Sequence, residues 1–183
     1  MKKTAIIIAA LAVLASCTQA PLDPVQESIR TKVEETVGSP LKKMQFGTFE
    51  HVGSTTIGEE LEHRRVTFET RFSAEEKLYL KYMSEKKMKN ASLKLEEMEK
   101  SRKALASIDS LRTVLADSLD EVAYDDYSFT ARITAENGVS QVLDGYYACV
   151  TAAGETLAIT NDLKDLHKGA GRAIPGYVEA IRN

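Results

Sequence analysis

Between Glu59 and Val122 the chain contains no glycine and no proline. Nothing in that run breaks a helix, and its larger side chains recur at spacings of three and four. Leu61, Arg65, Phe68, Phe72, Glu75, Tyr79 and Tyr82 make one heptad-like seam. Met88, Ala91, Leu95, Met98, Arg102 and Leu105 make a second, which continues loosely through Ile108, Leu111, Leu115, Leu119 and Val122. A single helix over the whole run would be about 100 Å long, a rod that a chain of this size cannot bury. Two antiparallel helices that cover each other's stripe are the compact solution, so the spacing predicts a helical hairpin over about 57–122. The turn is expected at Lys89-Asn90-Ala91-Ser92, because Asn tolerates a left-handed C′ position and Ser can cap the next helix. A competing reading makes Arg65 to Phe72 a strand, since Val66, Phe68, Thr70 and Phe72 alternate.

The flanks of this run have other periods. Val25, Ile29, Val33 and Val37 form one helical stripe, and Gly38-Ser39-Pro40 ends it. Lys43 to Val52 alternates as a strand, with Met44, Phe46 and Thr48 on one face, Phe49 off register and Gly47 marking a kink or bulge. Past the hairpin, Tyr127, Phe129, Ala131 and Ile133 alternate with polar residues. Asn137-Gly138 then supplies a hairpin turn. A two-residue turn there pairs Glu136 with Val139, Ile133 with Val142, Phe129 with Tyr146 and Tyr127 with Ala148. It also sets Ala131 against Asp144, a poor match, and Asp144-Gly145 reads as a phase-resetting bulge or a rival turn. Ala152 to Glu155 is a further turn, and Thr156 to Thr160 a short strand. Asn161 is placed to cap a helix running to Lys168, which Gly169-Ala170-Gly171 ends. Tyr177 to Ile181 makes a last amphipathic turn or two. The fold class expected is α+β: a short N-terminal helix, an antiparallel sheet of three to four strands, and a long helical hairpin inserted between the first strand and the C-terminal meander.

The start of the chain carries an address. Met1-Lys2-Lys3 is a basic leader, and Ala5 to Ala15 is an apolar run. As a helix that run is about 16 Å long, against a bilayer core of about 30 Å, so it reads as an export signal and not as a span. It ends Leu14-Ala15-Ser16-Cys17, which resembles the lipobox of bacterial lipoproteins. The resemblance implies a diacylglycerol on the Cys17 sulfur, cleavage before Cys17 and acylation of the new amino group, typically with palmitate. More than one chain is needed for firm anchoring. Residues 1–16 are then the signal peptide, 17–24 a lipidated tether with two prolines, and 25–183 a single domain. Thr18 in place of Asp after the cysteine leans towards the outer membrane, facing the periplasm.

The order of elements resembles a set of small uncharacterised lipoproteins found in Bacteroidota. The likeness lies in Ser39 to Val52, in Ala116-Asp117-Ser118-Leu119 leading to Tyr127 to Ile133, and in Ala135-Glu136-Asn137-Gly138 with the strand after it. It implies the architecture above and no activity.

Composition narrows the chemistry. Without Lys2 and Lys3 the chain has 22 basic side chains against 27 acidic ones. It reads as a mildly acidic chain with no basic cluster expected, which makes nucleic acid a poor partner. With Cys17 lipidated, Cys149 is the only thiol left, so no internal disulfide can form. It is expected as a small, semi-buried strand residue beside Tyr147, with no cation within three residues to activate it. His51, His63 and His167 fall in different elements, and Asp162, Asp165 and His167 cannot share one helical face, so no metal site is expected. No nucleophile motif or phosphate loop is present, so no catalytic residues and no cofactor are assigned. Tyr124, Tyr127, Phe129, Tyr146 and Tyr147 could line a ligand face on an open sheet, with Tyr127, Phe129 and Tyr146 foremost, or could be core. The reading that follows is a lipid-anchored, non-catalytic binding or assembly module of the cell envelope. It is held to the membrane through Cys17, with a protein partner and a possible homodimer contact on the hairpin. The alternative is a small-ligand binding protein that uses the aromatic face.

Overall fold

The computed structural model describes residues 21–182. The expected signal peptide of residues 1–16, Cys17 and the first part of the expected tether lie outside the described residues. Helix α1 (Pro24–Val37) opens with a capping box in which Asp23 accepts the backbone N–H of Gln26, and it closes on Gly38 in the left-handed region, φ 71°. Its stripe buries Ile29 and Val33, while Val37 at the end stays exposed. Two polar ties seat the helix. Arg30 donates to the Leu41 carbonyl at 3.0 Å, and Ser28 accepts the backbone N–H of Thr156 at 2.9 Å.

The sheet is a four-stranded antiparallel meander in the order β1-β2-β3-β4. Its strands are β1 (Leu41–Thr56), β2 (Val122–Ala135), β3 (Ser140–Thr151) and β4 (Thr156–Thr160). The first strand is longer than the alternation over 43–52 suggested. It contains the bulge that Gly47 announced: Phe46 pairs with Ala131 but Phe49 pairs with Phe129, so Gly47 and Thr48 together face Thr130. That extra residue brings both Phe46 and Phe49 to the core side, with rings 5.3 Å apart. A Cβ on Gly47 would sit 2.6 Å from the Thr130 hydroxyl oxygen, which already accepts the Thr48 N–H at 2.9 Å.

The β2–β3 register corrects one expectation. The loop has three residues, not two: Gly138, at φ 82°, donates to the Ala135 carbonyl, and Ala135 donates to Val139. Near the turn every pair is therefore slipped by one, and Ile133 faces Gln141 instead of Val142. The bulge at Asp144-Gly145 takes up the slip. Ala131 meets Leu143, and beyond it Phe129 meets Tyr146 and Tyr127 meets Ala148 as the side-chain matching required. Thr130 thus faces a bulge on each side, one in β1 and one in β3.

The predicted hairpin forms as α2 (Ile57–Ser84) and α3 (Met88–Val114), followed by a 3-10 turn at Ala116–Ser118. Arg65 to Phe72 is helical, and the strand reading fails because the apolar run belongs to the longer 3.6 period. Thr56 caps α2, reciprocally with Glu59. Ile57 and Gly58 donate to the carbonyls of Glu121 and Leu119, which closes the base of the hairpin. The turn lies at Glu85 to Lys87 and not at Lys89 to Ser92. Lys86 takes the left-handed conformation, φ 58°, and the N–H groups of Lys86 and Lys87 satisfy the carbonyls of Met83 and Tyr82. That is a Schellman ending built on lysine, and α3 starts with no side-chain cap.

The α2 seam is as expected, and the α3 seam keeps Ala91, Met98, Leu105 and Ile108 as expected but departs from it at Met88, Leu95 and Arg102. Ala91, Ser101, Ala104 and Ile108 face inwards, whereas Met88, Leu95 and Arg102 are exposed. Small residues at the contact let the helices approach closely, and Ser101 and Ala104 take the line where Arg102 was expected.

Two cores lie on opposite sides of the sheet. Under α1 are Ile29, Val33, Met44, Phe129, Ile133, Leu143 and Val150. On the other side Leu61 and Ile108 of the hairpin meet Tyr124, Cys149 and Leu157 of the sheet. That second core also takes Leu166, Ala170 and Ile174 from the C-terminal segment. There Asp162, not Asn161, caps the helix, which is a single turn, α4 (Leu163–Leu166). A 3-10 turn and α5 (Tyr177–Arg182) then carry the chain back to α3.

Candidate functional site

Where hairpin, sheet and C-terminal segment meet, the second core contains a polar network. Glu60 is on the first turn of α2 and is 1% exposed. Its carboxylate accepts from Arg64 Nε at 2.6 Å and from the Tyr124 hydroxyl at 3.0 Å. Arg64 also donates to the His167 carbonyl at 2.6 Å, which fixes the loop after α4. The His167 ring lies 5.1 Å from that of Tyr124, and its Nε2 is 2.8 Å from Asp126 Oδ2. The other carboxylate oxygen of Asp126, Oδ1, is buried and meets no N–H or O–H donor, although the Cys149 thiol interacts with this carboxylate. Directly across the ladder from Asp126 is Cys149. Donor atoms of Asp126, Cys149 and His167 all lie within 4.8 Å of one another.

Burial and the neighbouring acids set the electrostatics. Desolvation, followed by the Asp126 and Glu60 charges, pushes the Cys149 thiol far above its ordinary range. Desolvation likewise raises the Tyr124 phenol. The hydrogen bond to Asp126 raises the His167 imidazole, against a smaller opposing effect of burial. A cavity of about 310 Å³, lined by Ser54, Glu60, His63, Tyr124 and His167, lies alongside. His167 is therefore reachable, whereas Cys149 is fully enclosed.

This cluster is what reading the sequence missed. Asp126, Cys149 and His167 come from three elements spread over more than 40 positions, with no motif spacing. Cys149 is fully buried instead of semi-buried, and the histidine that no near neighbour supplied arrives from the loop after α4. His51 lies elsewhere, beside Ser54 and Asp125. There the Ser54 hydroxyl and the Asp125 carboxylate both approach the same nitrogen of His51, at 3.2 and 3.1 Å, and Ser54 donates to Asp125. A nucleophile relay needs the two partners on opposite ring nitrogens, so this triplet is a surface hydrogen-bond cluster.

The aromatic face lies beneath α1. Phe129 is buried, and Tyr127 and Tyr146 are half-buried against the same core. Phe49 stacks on Tyr127 with centroids 5.1 Å apart. A cleft of about 200 Å³ between α1 and the sheet reaches Tyr146, below the size of most small-molecule sites. Tyr124 and Tyr147 belong to the opposite core.

The hairpin tip is the other unusual surface. The two cores reach no further along α2 than Phe68 and no further along α3 than Ile108. Above them the helices have each other. Leu78, Leu80, Met83, Met88, Leu93 and Leu95 are exposed there, Leu80 and Met88 at 60%. Six lysines fall between residues 77 and 95, against the single acid Glu85. These lysines fall in one contiguous stretch of the sequence, so the expectation of no basic cluster is corrected here; Lys87 and Lys94 are ion-paired with Glu85 and Glu75.

Among the described residues no helix is long and apolar enough to cross a membrane. No protein family, curated protein or solved structure matches this chain.

Proposed function

We propose that this chain is a lipid-anchored, non-catalytic module of the bacterial cell envelope that presents its helical hairpin to a protein partner. The anchor is Cys17, and the site favoured is the outer membrane facing the periplasm. The observation that carries the reading is the tip: apolar side chains interleaved with lysines, on helices that stand clear of both cores. Fully burying a Leu or Met side chain recovers about 1.5–3 kcal/mol, so three or four at one contact suffice for specific docking. The lysines favour an acidic partner surface and speed the encounter.

The test is site-specific photo-crosslinking in intact cells from positions 80 and 93, compared with position 50 on the sheet. One reproducible adduct from the tip positions, weakened by Leu80→Asp and by reversing Lys86 and Lys87 to Glu, is the expected result. Adducts that are the same from all three positions would sink the docking role. Membrane fractionation of Cys17→Ser tests the anchor separately, since that variant is expected in the soluble fraction.

A further inference from the structure

We infer that Asp126, Cys149 and His167 form a binding site for a zinc-class divalent metal ion. The donor set is a thiol, an imidazole and a carboxylate, the three side-chain types that zinc takes in proteins. They come from β2, β3 and the loop after α4, so the fold brings them together instead of one local segment. With metal bonds of 2.0–2.3 Å, tetrahedral ligand atoms stand about 3.3–3.8 Å apart. The three donors already lie within 4.8 Å of one another. One pair, His167 Nε2 and Asp126 Oδ2 at 2.8 Å, needs to open by only about half an ångström to admit an ion.

A second observation points the same way. Asp126 Oδ1 is buried with no N–H or O–H donor, its carboxylate meeting only the weak Cys149 thiol and His167, in a network where Glu60 is met by Arg64 and Tyr124. Buried polar atoms normally find partners, and an ion between Asp126 and Cys149 would supply one. Arg64 holds the His167 backbone, and the cross-strand pairing holds Asp126 opposite Cys149, so the positions are set before any metal arrives. Three protein ligands leave the fourth position to water, and His167 borders the cavity through which ion and water would enter.

The experiment uses the untagged, full-length protein in detergent. It is stripped with a chelator, reloaded with zinc alone, and assayed for bound metal by mass spectrometry. About one zinc per chain is expected, falling at least tenfold in affinity for Asp126→Asn and for His167→Ala. Loading with cobalt instead should give a thiolate-to-metal charge-transfer band that persists in Cys17→Ser and vanishes in Cys149→Ala. Circular dichroism of each variant separates loss of metal from loss of fold, and Asp126→Asn, which keeps shape and volume, serves if the buried substitutions unfold. No zinc on the folded native protein, or zinc and a cobalt band that survive Cys149→Ala and Asp126→Asn, would overturn the site.

Discussion

Glu60 and Arg64 show how one residue pair can dominate a local energy balance. The glutamate is enclosed, and its charge is met by Arg64 and by the Tyr124 hydroxyl. Removing one partner of a buried pair leaves an uncompensated charge, at a cost of about 3–5 kcal/mol. Arg64→Ala is therefore expected to lower stability by that amount in urea titration, while Glu60→Leu with Arg64→Met should fall within about 1 kcal/mol of the parent. Tyr124→Phe removes one hydrogen bond to a charged acceptor and should cost about 1.5–3 kcal/mol. His167 adds a pH dependence. Its pKa is raised in the folded state, chiefly by the bond to Asp126. Such a group stabilises fully below its unfolded value of about 6.5, and the contribution is lost as the pH rises through the higher folded value. Chelated protein should lose stability over that window, and His167→Gln should flatten the curve. A midpoint independent of pH there would remove His167 from the account.

At the scale of elements, turns and bulges decide more than periodicity does. The hairpin turn uses Lys86 in a left-handed conformation that disfavours any side chain by about 1–2 kcal/mol. Lys86→Gly is expected to stabilise the protein by about 1 kcal/mol, read as a higher thermal midpoint. An unchanged or lower midpoint would mean that the turn is not the Schellman ending described. Gly47 is the converse case. Gly47→Ala drives a methyl into the Thr130 hydroxyl that holds the β1 bulge, and should cost about 1–3 kcal/mol. Thr130→Ser keeps the hydroxyl and should restore little of that loss. The two bulges on either side of Thr130 also explain why alternation alone misplaces pairs. Each moves one strand by one residue, so Phe49 stays inside and Tyr146 stays opposite Phe129.

At the scale of the molecule, stability should be graded along the hairpin. Its base is tied by Ile57 and Gly58 to residues 119–121 and packed into the second core, whereas the tip has only the α2–α3 seam. Hydrogen exchange is expected to be fastest at residues 78–95 and slowest in β2 and β3; uniform protection would mean that something else covers the tip. The sequence by itself determined the kinds of element and much of their order: the first helix, the helical pair, the meander and the matched pairs beyond Asp144-Gly145. These follow from local rules of period, caps and breakers, each readable within about ten residues. The tertiary structure alone decided the rest. The middle of the α3 seam depended on which residues let two helices approach closely, and Ser101 and Ala104 won over Arg102. The polar network and the three-donor cluster depended on the C-terminal segment crossing the sheet to bring His167 to Asp126 and Cys149. No local pattern encodes that meeting, because it is made by packing between residues far apart in the chain.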